Sequence, residues 1–101
     1  MTIQQLDQAI NKGELALAIR LGESLYRDSP GSQHVALSLS EAYRQAGKNA
    51  QASQTAKQAY HLDPAFVFAQ AQYLRCLLPY ADHKAIFEIL QQALKLDIHD
   101  P

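Results

Sequence analysis

The chain has one cysteine, Cys76, and no tryptophan. A single thiol excludes an intramolecular disulfide framework and any zinc cage built from several cysteines. Strand formers are also scarce: Val, Ile and Thr are few and nowhere alternate with polar residues over a useful length. No hydrophobic run approaches the roughly 18 apolar residues that span a bilayer, so no membrane association is expected. Met1 to Ala9 holds Gln4, Gln5, Asp7 and Gln8 where a secretory signal needs a basic start and an apolar stretch. A cytoplasmic location is therefore expected. An excess of one charge sign is missing too. Nine Lys and Arg against ten Asp and Glu leave a formal charge of −1, which gives a phosphate backbone no field to bind and argues against nucleic acid.

The motifs of catalysis are absent as well. Nothing matches a phosphate-cradling loop, a zinc-protease helix or a dinucleotide fingerprint. His34, His61, His83 and His99 are scattered without i,i+4 pairing, so no metal-ligand pair is set on one helix. Cys76 has no base and orienting carboxylate at a readable spacing, and a buried small hydrophobe is its expected role. The expectation is a non-enzyme with no cofactor and no metal.

What is present is helix. Hydrophobic residues make up 48% and charged residues 19% of the chain, the balance of one globular domain. Ala, Leu, Gln, Glu and Lys dominate, side chains that lose little rotamer freedom in a helix. Punctuation divides the chain into six segments. Thr2 with Gln5 reads as a capping box for a first helix ending near Asn11. Gly13 breaks it, and a second helix is expected over Glu14 to Tyr26. After the turn cluster Asp28-Ser29-Pro30-Gly31, Ser32 caps a third that runs to about Ala46 and closes on Gly47. The fourth runs from Asn49 to His61. Asp63 followed by Pro64 predicts a fifth helix with an N-cap and a first-turn proline, ending at Leu78 before Pro79. Asp82 caps a sixth to about Leu96.

The segments repeat. Leu25, Ala59 and Ala93 are evenly spaced, and the same interval separates Ala18, Ala52 and Ile86, and again Gly13, Gly47 and Ala81. Ala59-Tyr60-His61-Leu62-Asp63-Pro64 lies over Ala93-Leu94-Lys95-Leu96-Asp97-Ile98. Two helices in a period of about 34 residues make a solenoid signature, in which a unit that cannot bury its apolar face alone gains a core by stacking.

On these residues the chain resembles the tetratricopeptide repeat family. The middle unit, 33–66, carries Leu39, Ser40 and Tyr43 at the large, small and aromatic places of the first helix. It has Gly47 in the turn, Ala52 and Ala59 at the close contacts, and Leu62-Asp63-Pro64 at the close. The third unit, 67–101, keeps Leu77, Ala93, Leu96 and Asp97 but has Ile86 and Ile98 at the small and proline places. The first, 1–32, keeps Gly13, Ala18 and Pro30 with Ala9 in place of the tyrosine. The resemblance implies an all-α, right-handed solenoid of three helix-turn-helix units, and a partner protein or peptide bound in the concave groove. Gln4, Asp7 and Asn11 would line that groove in the first unit. His34, Leu37, Ser38, Glu41, Arg44 and Gln45 would line it in the second, and Phe68, Ala71, Gln72, Arg75 and Leu78 in the third. Arg44 and Arg75 are suited to carboxylates, and Leu37, Phe68 and Leu78 to apolar contact. Family members that clamp an acidic chaperone tail use Lys, Asn and Arg. Here those places hold Ile3, Asp7, Ser38, Phe68 and Gln72, which argues against that ligand. Pentatricopeptide proteins, with a similar repeat, read RNA with basic grooves and many units; this chain has neither.

A second surface is expected at the last helix. Ile86, Phe87, Ile89, Leu90, Leu94 and Leu96 are more large apolar residues than one inner face uses. Phe87, Ile89, Leu90 and Leu94 are the candidates for self-association, as a homodimer or against a continuation of a longer chain. The plainer alternative folds Phe87 and Ile89 down over the fifth helix.

Overall fold

The computed structural model describes residues 2–77, 84 and 86–91, and among them every regular element is helical. Five helices run in order: α1 Ile3–Asn11, α2 Leu15–Asp28, α3 Gln33–Gln45, α4 Asn49–Leu62 and α5 Val67–Leu77. Residues 84 and 86–91 are also helical and belong to a sixth. None of the described helices is long and apolar enough to cross a membrane. The expected helix ends at Leu78, Pro79, Asp82 and Leu96 lie outside the described residues.

Local chemistry sets most of the boundaries. Thr2 Oγ1 accepts the Gln5 N–H at 3.1 Å while Gln5 Oε1 accepts the Thr2 N–H at 3.0 Å, the reciprocal box that satisfies two free donors of α1. Ser32 Oγ accepts the Val35 N–H at the start of α3. Gly13 and Gly47 have φ of +75° and +79°, the left-handed region open to a residue without Cβ. Each closes its helix with the same pair of bonds. Gly13 N–H donates to Ile10 O and Glu14 N–H to Ala9 O. In the later turn, Gly47 N–H donates to Arg44 O and Lys48 N–H to Tyr43 O. One Schellman cap thus recurs a full repeat period after the other.

The fifth helix departs from expectation. Asp63 and Pro64 do not open it; α5 begins at Val67. Asp63 Oδ1 instead accepts the Ala65 N–H at 3.2 Å and its carbonyl accepts the Phe66 N–H at 3.1 Å. Those bonds make a turn rather than a helix start, and the Phe66 carbonyl takes up the first helical N–H groups, of Ala69 and Gln70. Gln70 Nε2 pins the turn by donating to Pro64 O at 2.7 Å. Two smaller differences concern α2, which starts one residue later than expected and runs on to Asp28, and α4, which ends at Leu62.

The helices pack as neighbours and next-but-one neighbours: α1 on α2 and α3, and α3 on α2, α4 and α5. Ala18, Ala36, Ala42, Ala52, Ala56 and Ala59 are fully buried at the contacts, where small side chains let helix axes approach. Among the described residues, two clusters form in the core. One gathers Leu6, Ala9, Ala18, Ile19 and Ala42; the other gathers Ala52, Ala56, Tyr60, Tyr73, Cys76, Leu77 and Ile89. Tyr43 packs against both and joins them. Leu6 and Ile89 are among the largest fully buried side chains. Ile89 is therefore a core residue of the last helix, which corrects its expected place on an exposed association surface.

Candidate functional site

One face of α3 and α5 collects most of the candidate residues. The stripe His34, Leu37, Ser38, Glu41, Gln45 on α3 follows the 3, 4 and 7 spacing that holds side chains on one side of a helix. Phe68, Ala71 and Arg75 do the same on α5, and Asp7 of α1 reaches the α3 stripe from the other side.

The face divides into two ends. At the first, Gln33, His34, Leu37, Ser38, Phe66 and Phe68 line a mostly apolar cleft of about 410 Å³. Phe68 is 70% exposed and Phe66 37% exposed, and their rings meet edge to face with centroids 5.4 Å apart. Val67 between them is 67% exposed, so three consecutive large apolar residues face solvent. At the rim, Asp7 is held by both oxygens: Ser38 Oγ donates to Oδ1 at 2.8 Å, and His34 Nε2 lies 3.0 Å from Oδ2.

The second end is polar and centres on Glu41. Arg44 grips its carboxylate with two parallel bonds, Nε to Oε1 at 2.8 Å and Nη2 to Oε2 at 2.7 Å. Gln45 Nε2 donates to Oε2 at 2.8 Å and Gln72 Nε2 to Oε1 at 3.1 Å. The Arg44 bonds, reinforced by the two amides, outweigh the opposing effect of burial and hold the carboxyl at about 2, far below its ordinary 4.5. The same pair raises the Arg44 pKa. Arg75 is differently placed. Its Nη1 donates to Gln72 Oε1 at 3.3 Å and stands 3.6 Å from Glu41 Oε1, while 52% of the side chain is exposed.

No protein-family model matches the chain, and no curated protein matches it significantly. What the face can do is therefore a matter of its own chemistry.

The face brings together His34, Leu37, Glu41, Arg44, Gln45, Phe68 and Arg75. Three refinements follow from the contacts. Arg44 is engaged bidentately by its own Glu41 and presents no vacant fork to an external carboxylate. Gln72 is 7% exposed; it lies beneath the face, joining Glu41 to the Ser40 hydroxyl at 3.2 Å. Phe66, outside the expected groove set, precedes α5 and lines the cleft. Leu78 lies outside the described residues.

Below the polar end, Ser40 Oγ donates to the Ala52 carbonyl at 2.9 Å and lies 3.4 Å from Cys76 Sγ. Cys76 is 2% exposed, and burial pushes its thiol up, away from the thiolate a nucleophile needs. Among the described residues no three of His, Cys, Asp and Glu converge as a metal would require.

On the last helix, Phe87 is 60% and Leu90 48% exposed, three residues apart and so side by side. Leu94 lies outside the described residues.

Proposed function

We propose that the chain is a non-catalytic, cytoplasmic protein-interaction module of tetratricopeptide type. On this reading it is a right-handed solenoid of three helix-turn-helix units that takes a partner's peptide on the α3–α5 face. Support for the repeat comes from the two Schellman caps one period apart, from the fully buried Ala18 and Ala52 at the same interval, and from a shape of 42 × 26 × 21 Å. The observation that carries the function is the exposed run Phe66-Val67-Phe68 beside a cleft floored by Leu37. Large apolar side chains left in water next to a concave apolar surface mark a place where another chain is received.

A phage-displayed random peptide library selected on the wild-type chain, with Phe68→Ala as the counter-target, tests this reading. Enriched peptides should bind the wild type with micromolar Kd and lose about tenfold or more on Phe68→Ala. A library that yields nothing, or peptides indifferent to Phe68, would count against a peptide-receiving face.

A second reading is favoured by Phe87 and Leu90: self-association through the last helix, as a homodimer or against further chain. Light scattering across a concentration series separates the two. A dimer abolished by Phe87→Glu supports the homodimer, and a monomer at all concentrations removes it and leaves docking against further chain.

A further inference from the structure

The face is asymmetric in charge as well as in polarity, and that asymmetry specifies a ligand. Resting on the peptide-receiving reading above, we propose that the partner is an extended segment with one large apolar side chain and one carboxylate three residues from it. The apolar group enters the Phe66–Phe68 cleft and the carboxylate meets Arg75.

Spacing comes from α5. Phe68 and Arg75 are separated by two helical turns, so they lie on one face about 10 Å apart along the axis at 1.5 Å rise per residue. Ala71 between them is exposed and small, leaving an unobstructed track from one to the other. A segment in the extended polyproline II form rises about 3.1 Å per residue with three residues per turn. Side chains three apart therefore face the same side about 9 Å from one another and match that distance.

Charge comes from the contacts around Glu41. Its carboxylate is already satisfied by Arg44, Gln45 and Gln72, so Arg75 is not needed to neutralise it. Among the described residues, Arg44 and Arg75 against one Glu41 leave a net positive charge at this end. Arg75 turns only Nη1 toward Gln72 and Glu41, at 3.3 and 3.6 Å, and its half-exposed guanidinium keeps Nε and Nη2 for a second acceptor. At the cleft end Asp7, bonded to Ser38 and 3.0 Å from His34 Nε2, is an acidic side chain that disfavours a second carboxylate there. The acid therefore goes to Arg75 and the apolar anchor to the cleft, not the reverse.

Heteronuclear NMR titration of the ¹⁵N-labelled chain with synthetic peptides tests this. The probes are serine–glycine dodecapeptides carrying one phenylalanine and one aspartate at spacings of two to five, in both orders, each with an asparagine twin. At a spacing of three in one order, the aspartate peptide should bind about two- to fivefold tighter than its twin. That preference should vanish in Arg75→Ala and shrink in high salt. Equal affinity of the twins, a preference that survives Arg75→Ala, or an optimum at another spacing overturns the acidic-anchor inference. Binding that still depends on Phe68 would then leave the peptide-receiving reading standing. No shifts on α3 or α5 with any peptide would sink both.

Discussion

Gly22 of α2 lies directly against Leu39 of α3: a Cβ on Gly22 would stand 2.8 Å from Leu39 Cδ1 and 3.2 Å from Leu39 Cβ. Leu39 is 3% exposed, so its side chain has little room to retreat. Gly22→Ala gains about 1 kcal/mol of helix propensity but forces overpacking that costs about 1–3 kcal/mol. Urea denaturation should show a net loss of about 1 kcal/mol. A raised midpoint would mean that α2 and α3 do not approach as described.

Glu41 gives the chain an acid-sensitive contact. Its carboxyl titrates at about 2 when folded against an ordinary 4.5, so the folded state favours the ionised form. That stabilisation is present above about 4.5 and is lost as pH falls toward about 2. Glu41→Gln removes this part of the acid dependence. Unfolding midpoints measured across the acid range, from near neutrality down through the carboxyl's folded pKa, should fall less steeply in the variant than in the wild type. Parallel curves would show that Arg44 does not hold the carboxylate.

Ile89 and Phe87 are two residues apart and should behave oppositely. Ile89 is 2% exposed among Tyr60, Tyr73, Cys76 and Leu77, and Phe87 is 60% exposed. Ile89→Ala should destabilise the fold by about 2–4 kcal/mol through the cavity it leaves. Phe87→Glu should leave the thermal midpoint within a few degrees of the wild type. If the two variants were equally stable, the last helix would have to be rotated from its described position.

Cys76 offers a readout of global opening. Burial keeps the thiol protonated and shielded, so its labelling by a water-soluble disulfide reagent should be slow in the native chain and immediate in denaturant. The native rate should rise in Gly22→Ala by about fivefold for each kcal/mol of stability lost. Fast labelling of the folded wild type would contradict the buried position.

Boundaries that depend on neighbours in the chain are legible in the sequence. The Thr2–Gln5 box, the Ser32 cap and the glycines at 13 and 47 each act through bonds to residues within a turn or so. Asp63-Pro64 misleads because one carboxylate can cap a helix or close an Asx turn, and local pattern does not choose between them. The Gln70 amide bond to Pro64 O is among the tertiary details that fix the turn. Burial of Gln72 and Ile89 is illegible for a different reason: it depends on the rotation of a helix against its neighbours, which periodicity bounds only to within a face. The spacing of Glu41 and Arg44 is visible, but only the 2.7 and 2.8 Å bonds show that the pair is closed on itself rather than open to a ligand.

The Ser40 hydroxyl has one hydrogen, and the Ala52 carbonyl takes it. Toward Cys76 and Gln72, Ser40 therefore offers lone pairs alone, and the direction of the whole interior chain is set. Gln72 gives its amide protons outward to Glu41 and inward to Ser40, and the sulfur gives its proton to the same oxygen. Cys76 Sγ lies 3.4 Å from that oxygen, and burial is the chief cause that keeps its thiol protonated. The backbone carbonyl of one helix thus orients a hydroxyl on a second and an amide on a third, with the Glu41 carboxylate at the far end of the same chain of bonds.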